Sequence, residues 1–187
     1  KANSSGDIII QSESETKQIK NVITGEVWLC SGQSNMEFTM SSFTSFYKDE
    51  IQQCKDEHIR FVVIQSNFNN KEKSDAALRM AWTTVNPETI GGCSAVAYFF
   101  AKALRKKLGV PVGLVISSWG GTPAQSWVDE NTLRNFPAYA DRYENAVKKI
   151  NFDKIEEAKE SFAATYNTAK AKISAGFNKY TSADFND

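Results

Sequence analysis

GEVWLCSGQSNMEF, residues 25–38, reads as a short apolar strand that passes through a glycine-led turn into a helix, with Ser34 at the junction. Val27, Trp28 and Leu29 show no polar alternation, and the pattern predicts a fully buried strand. Two later runs have the same character: RFVVIQ (Arg60 to Gln65) and VPVGLVIS (Val110 to Ser117). Three such runs, rich in β-branched residues, are what a parallel sheet covered on both faces requires. Between the second and third lies SAVAYFFAKALRKKLG. Its Val96, Phe99, Phe100, Ala103, Leu104 and Leu108 recur at helical spacing behind a Ser94 cap, with basic residues in the last turn and Gly109 as terminator. Strand, helix and strand, with Pro111 entering the last, make a crossover unit that is right-handed by rule. The fold class predicted is α/β, an open three-layer α/β/α arrangement.

The flanks are less regular. Ile8 to Ile10 and Lys17 to Thr24 alternate weakly, as a peripheral strand and its connection do, before Gly25 interrupts them. From Tyr143 onward, Ile155, Ala158, Phe162, Tyr166, Ala169 and Ile173 recur at steps of three and four, which predicts a long amphipathic helix packed by its apolar stripe on the core. Residues 1–24 therefore read as the end of a preceding β domain or a linker, and 25–187 as the N-terminal part of one larger domain. Parallel sheets of this kind usually carry about five or six strands, so three core strands predict an incomplete sheet.

Composition narrows the function. With 41% hydrophobic and 12% aromatic residues the chain is globular in character. Its 22 basic and 22 acidic residues balance, which argues against a nucleic-acid footprint or an anionic membrane surface as partner. No apolar stretch reaches the ~18 residues of a membrane span, and KANSSGDIII lacks the basic-then-apolar layout of a signal peptide. Cys30, Cys54 and Cys93 fit neither a metal-binding nor a disulfide pattern and read as buried thiols or as incidental.

Ser34 stands just past the carboxyl end of a predicted parallel strand, where open α/β sheets place reactive groups. N–H groups at the start of the following helix lack intrahelical acceptors and can face an oxyanion. A serine before a helix is also a common N-cap, so both readings stand. Gln33 and Asn35 flank it with amides that are expensive to bury without partners or substrate. The hydrolase elbow G-x-S-x-G is met at Gly32 and Ser34 and broken by Met36.

A second stretch, SSWGGTPAQSWV (Ser117 to Val128), follows the third strand. Gly120 and Gly121 offer N–H donors with room for a carbonyl oxygen, and Trp119 and Trp127 offer apolar walls suited to sugar faces. Paired glycines are equally a plain turn. His58 is the one histidine, and a serine nucleophile needs a histidine base within reach. It precedes RFVVIQ, at the amino end of that strand and the wrong edge of the sheet, so it reads as an edge residue, and Asp56 and Glu57 as solvated acids.

With both stretches in hand, the sequence resembles the sialate O-acetylesterase family of the SGNH hydrolase superfamily. GEVWLCSGQSNMEF looks like that family's nucleophile block, GVPVGLVISSWGGTPAQSWV (Gly109 to Val128) like its second block, and the helix between them fits too; the similarity covers roughly residues 17–130. The resemblance implies a flavodoxin-like α/β/α fold and an esterase that removes acetyl groups from sialic acid or another glycan through an acyl-enzyme, without metal or cofactor. Ser34 would be the nucleophile, Ser34, Gly120 and Gly121 would hold the oxyanion donors, and Gln33, Asn35 and Trp119 would line the site. It also implies a periplasmic or secreted setting. The family's WYQGESN-like block and its Asp-x-His-Pro block have no match here, so the base is expected from the C-terminal remainder of the same protein. The alternative is a carbohydrate-binding or catalytically incomplete fragment, because a serine without its histidine is a weak nucleophile.

Overall fold

A computed structural model describes residues 2–67, 75–145 and 147–177. In chain order its elements are β1 (Ser5–Gln11), β2 (Thr16–Ile23), β3 (Glu26–Gly32), α1 (Ser34–Glu37), α2 (Lys48–Gln53), β4 (Asp56–Ile64), β5 (Leu78–Val85), α3 (Ala95–Leu108), β6 (Val112–Ser118), α4 (Glu130–Leu133), α5 (Pro137–Asn145) and α6 (Phe152–Phe177). They fall into two compact units, one ending at Val128 and one beginning at Asp129.

The first unit has the predicted α/β character. Its sheet runs β3-β6-β4-β5, and all three apolar runs are strands of it: β3 pairs parallel with β6, and β6 parallel with β4. The sheet is nevertheless mixed. β5, which the sequence reading did not anticipate, pairs antiparallel with β4. Its LRMAWTTV pattern carries a charge and small residues among the apolar ones, so it lacks the uniform run that marked the other three.

α3 forms as predicted. The Ser94 hydroxyl accepts a hydrogen bond from the Ala97 N–H, and Gly109 ends the helix in the left-handed conformation. Ala95, Ala97 and Ala101 are buried on it, small residues that let the helix backbone approach the sheet. In register, Trp28 and Cys30 of β3 stand beside Leu114 and Ile116 of β6, which stand beside Phe61 and Val63 of β4. Phe61, Ile59, Val112 and Leu114 join Met40, Ile90 and Cys93 in the core on this face, and Trp28 meets Phe100 of α3 edge to face at 5.1 Å.

The other face departs from expectation. Val27 and Leu29 are 65% and 70% exposed, so the strand predicted to be fully buried is not. It is an edge strand with a neighbour on one side, and its Val27–Leu29 face is left uncovered by the described residues. Gly113 leaves room there for the Trp82 ring, which would stand 3.2 Å from a Cβ at that position. Val62 of β4, in register with Val115 and Leu29 on the same side of the sheet, is 3% exposed, so the bare area lies at the β3 edge and not across the whole face.

β1 and β2 form a separate antiparallel pair. Arg60 of β4 holds it, donating from Nη1 to the Asn21 carbonyl at 2.5 Å and from Nη2 to Asn21 Oδ1 at 2.9 Å. In the second unit the predicted long helix forms as α6, Phe152–Phe177, which carries every position named for its stripe, while Tyr143 belongs to the separate α5. Phe162 and Tyr166 of the α6 stripe stack on each other with ring centroids 6.4 Å apart, an i,i+4 contact along one helix face. Among the described residues no helix is long and apolar enough to cross a membrane.

All three cysteines are buried free thiols, as read from the sequence. Burial pushes Cys30 and Cys54 up from the usual thiol range and Cys93 to about 12. A raised pKa keeps the unreactive thiol form populated. Iodoacetamide at about pH 8 should therefore leave Cys30, Cys54 and Cys93 unmodified in the folded full-length protein and alkylate them in denaturant, read by peptide mass spectrometry. Rapid native labelling of Cys93 would contradict this packing.

Candidate active site

The register of two strands builds the site. Gly32 pairs with Ser118, so β3 and β6 leave the sheet at the same level, and the second residue beyond each end is Ser34 on one side and Gly120 on the other. A Cβ placed on Gly120 would lie 3.3 Å from Ser34 Oγ and 2.5 Å from Glu37 Oε2. The two loops touch so closely that position 120 has no room for a side chain unless its neighbours move.

Ser34 opens α1, but the N-cap is Gln33, with φ −113° and ψ −139°, and the Gln33 side chain makes no capping bond. The cap reading of Ser34 therefore falls away. Its half-buried hydroxyl has no hydrogen-bond partner among the described residues. α1 is a single turn of four residues.

Three hydrogen bonds stitch the two strand ends together. The Trp119 N–H donates to the Gly32 carbonyl at 3.0 Å, Gln33 Nε2 donates to the Thr122 carbonyl at 3.2 Å, and the Gly120 N–H donates to Glu37 Oε2 at 2.7 Å. Behind them, the Thr122 hydroxyl donates to the Trp119 carbonyl at 2.7 Å and accepts from Trp127 Nε1 at 2.8 Å, so the turn and the Trp127 ring are locked as one piece. Gly121 has φ +78° and nothing within 4 Å of a Cβ built on it. Its N–H has no acceptor among the described residues.

The predicted site residues thus divide. Ser34, Gln33, Trp119, Gly120 and Gly121 converge at the β3 and β6 ends. Gln33 spends its amide N–H on Thr122, so that amide has a protein partner. Asn35 is exposed beside them. His58 lies near the amino end of β4, with Nδ1 3.6 Å from Asp56 Oδ1. Because β4 runs parallel to β6, that is the opposite edge from Ser34. Glu37 was missed. Ser34-Asn35-Met36-Glu37 has the S-x-x-E spacing of a capping box, a signal that Glu37 reaches for a backbone N–H; here it takes that of Gly120 instead.

A family model described as carbohydrate esterase, sialic acid-specific acetylesterase matches residues 24–164. The sialate O-acetylesterase of Homo sapiens is 31% identical over 125 residues, which is 64% of this chain and 24% of the relative. That of Rattus norvegicus is 30% identical over 131 residues, 67% of this chain and 24% of the relative. The chain thus spans about a quarter of the length of the curated relatives it matches. A solved carbohydrate acetylesterase from Xanthomonas citri superimposes with a TM-score of 0.65 at 29% identity, covering 71% of this chain and 31% of that one.

The open space around Gly121 separates backbone strain from steric clash. Gly121→Ala in the full-length protein should lower the unfolding free energy by about 1 kcal/mol through its left-handed φ alone, read as a shift in the urea midpoint with unchanged slope. An unchanged or raised midpoint would mean that the turn does not hold this conformation.

Proposed function

The chain belongs to the sialic acid-specific acetylesterase family of carbohydrate esterases, and on that premise we propose that the protein hydrolyses acetyl esters of sialic acid or a related sugar, with Ser34 as nucleophile. The observation that carries the reading is the placement of Ser34 level with the Gly120-Gly121 turn at the carboxyl ends of two parallel strands.

In this reading Ser34 Oγ attacks the acetyl carbonyl carbon and gives up its proton to a base. The carbonyl oxygen becomes an oxyanion held by N–H groups of Ser34 and of the glycine pair. Collapse expels the sugar hydroxyl, which takes the proton back, and leaves acetyl-Ser34. Water then attacks by the reverse proton path and releases acetate. The base is a histidine supplied by the remainder of the protein, a reading favoured by His58 standing at the opposite sheet edge and by the span of a quarter of the relatives' length. Without that base a serine is a weak nucleophile, so the chain on its own is expected to bind sugar and turn it over poorly. Trp119 and Asn35 line the sugar's approach, and Gln33 acts chiefly by holding the Thr122 carbonyl. The β1–β2 pair belongs to a preceding β segment, and the setting is periplasmic or secreted.

Ser34→Ala in the full-length protein should cut acetate release from an O-acetylated sialic acid, and from a chromogenic acetate ester, by about 10⁴-fold or more while the thermal midpoint stays close to wild type. Turnover near the wild-type rate would remove Ser34 from the mechanism.

A further inference from the structure

Glu37 has no part in the chemistry just described, yet it holds a hydrogen bond that joins the nucleophile's helix directly to the glycine turn beside it. Its Oε2 accepts from the Gly120 N–H at 2.7 Å, and the same oxygen and Ser34 Oγ crowd a single point beside Gly120. The bonds on either side, Trp119 N–H to Gly32 and Gln33 to Thr122, fix the ends of the segment. The Glu37 bond fixes its middle. At 2.7 Å it is the shortest of the three, and a carboxylate is a stronger acceptor than a carbonyl.

Two consequences follow for the neighbouring N–H groups. The Gly120 N–H is already satisfied and directed at Glu37. The Gly121 N–H has no acceptor among the described residues. We propose that Glu37 is a positioning residue: its carboxylate pins the Gly120 N–H, and with it the Trp119-Gly120 peptide that leads into Gly121, so that the Gly121 N–H, and not that of Gly120, serves the oxyanion formed at Ser34. This rests on the reading of Ser34 as nucleophile. Glu37 itself touches neither the substrate nor the migrating proton; what it supplies is an acceptor oxygen at a fixed place. A glutamine at 37 retains such an oxygen, whereas an alanine frees the turn to shift against Ser34.

The test compares wild type, Glu37→Gln, Glu37→Ala and Ser34→Ala in the full-length protein, using 4-nitrophenyl acetate hydrolysis and amide hydrogen exchange. Misplacement of a catalytic donor by about 1 Å costs up to ~10²-fold, so Glu37→Ala should lower kcat by about 10- to 100-fold with KM little changed. Glu37→Gln should restore kcat to near wild type. The Gly120 amide should exchange slowly in wild type and Glu37→Gln and quickly in Glu37→Ala. The exchange measurement on wild type needs no variant to fold, and a Gly120 amide exchanging at the rate of an open loop would overturn the proposal. So would a Glu37→Ala kcat equal to wild type while Ser34→Ala is inactive, or Gln and Ala variants impaired alike. Full turnover by Ser34→Ala would instead overturn the underlying assignment of the nucleophile.

Discussion

The parallel register of β3 against β6 is the constraint on which the rest of the site depends. Cys30 beside Ile116 and Gly32 beside Ser118 bring two chain segments out of the sheet at one level. A slip by one residue would turn Trp28 and Cys30 to the opposite face, away from Phe100 and the core, because strand side chains alternate with a period of two. The same slip would carry Ser34 past Gly120. Burial of Cys30, Leu114 and Phe61 on the α3 face and alignment of the serine with the glycine turn are therefore one requirement, met by one set of backbone hydrogen bonds.

The support beneath the site is continuous with the core. Phe38, just past α1, accepts a hydrogen bond from the Ala95 N–H through its carbonyl at 2.9 Å, and the Met40 N–H donates to the Cys93 carbonyl at 2.9 Å. Ser94, 1% exposed, caps α3 and places its hydroxyl 3.4 Å from Met36 Sδ. Met36, which breaks the G-x-S-x-G pattern, is thus the residue that roots α1 in the interior; a glycine there would leave nothing to pack. A four-residue helix has little stability of its own, since nucleation is costly for so few hydrogen bonds, and its orientation comes from Met36 below and from Gln33 and Glu37 across the top.

Most of this fold was legible because burial writes itself into composition. β4, β6 and α3 carry uniform or periodic apolar patterns and a Ser94 to Gly109 frame, and they form where those patterns predict. Ser34 and Gly120-Gly121 were legible as strand-end residues. What escaped notice depends on neighbours that the local sequence does not name. β5 is half-exposed and mixed in character, and it becomes a strand by pairing with β4. Val27 and Leu29 have the composition of buried residues, yet lie at an edge with a bare face. Phe162 and Tyr166 make a helical stripe whether or not anything covers it, so periodicity identifies the helix but not its packing. Glu37 went unread because its partner is a backbone N–H 83 positions away in the chain, which the local S-x-x-E spacing does not name.

The central claim is that Ser34 is the group that becomes acylated, and the most direct measurement is to trap it. Incubation of the full-length protein with a fluorophosphonate probe, followed by proteolysis and peptide mass spectrometry, should place a single adduct on Ser34 within the SGQSNMEF segment, and prior incubation with an O-acetylated sialic acid should slow its formation. An adduct on another residue, or none on an enzyme that is actively releasing acetate, would contradict the account.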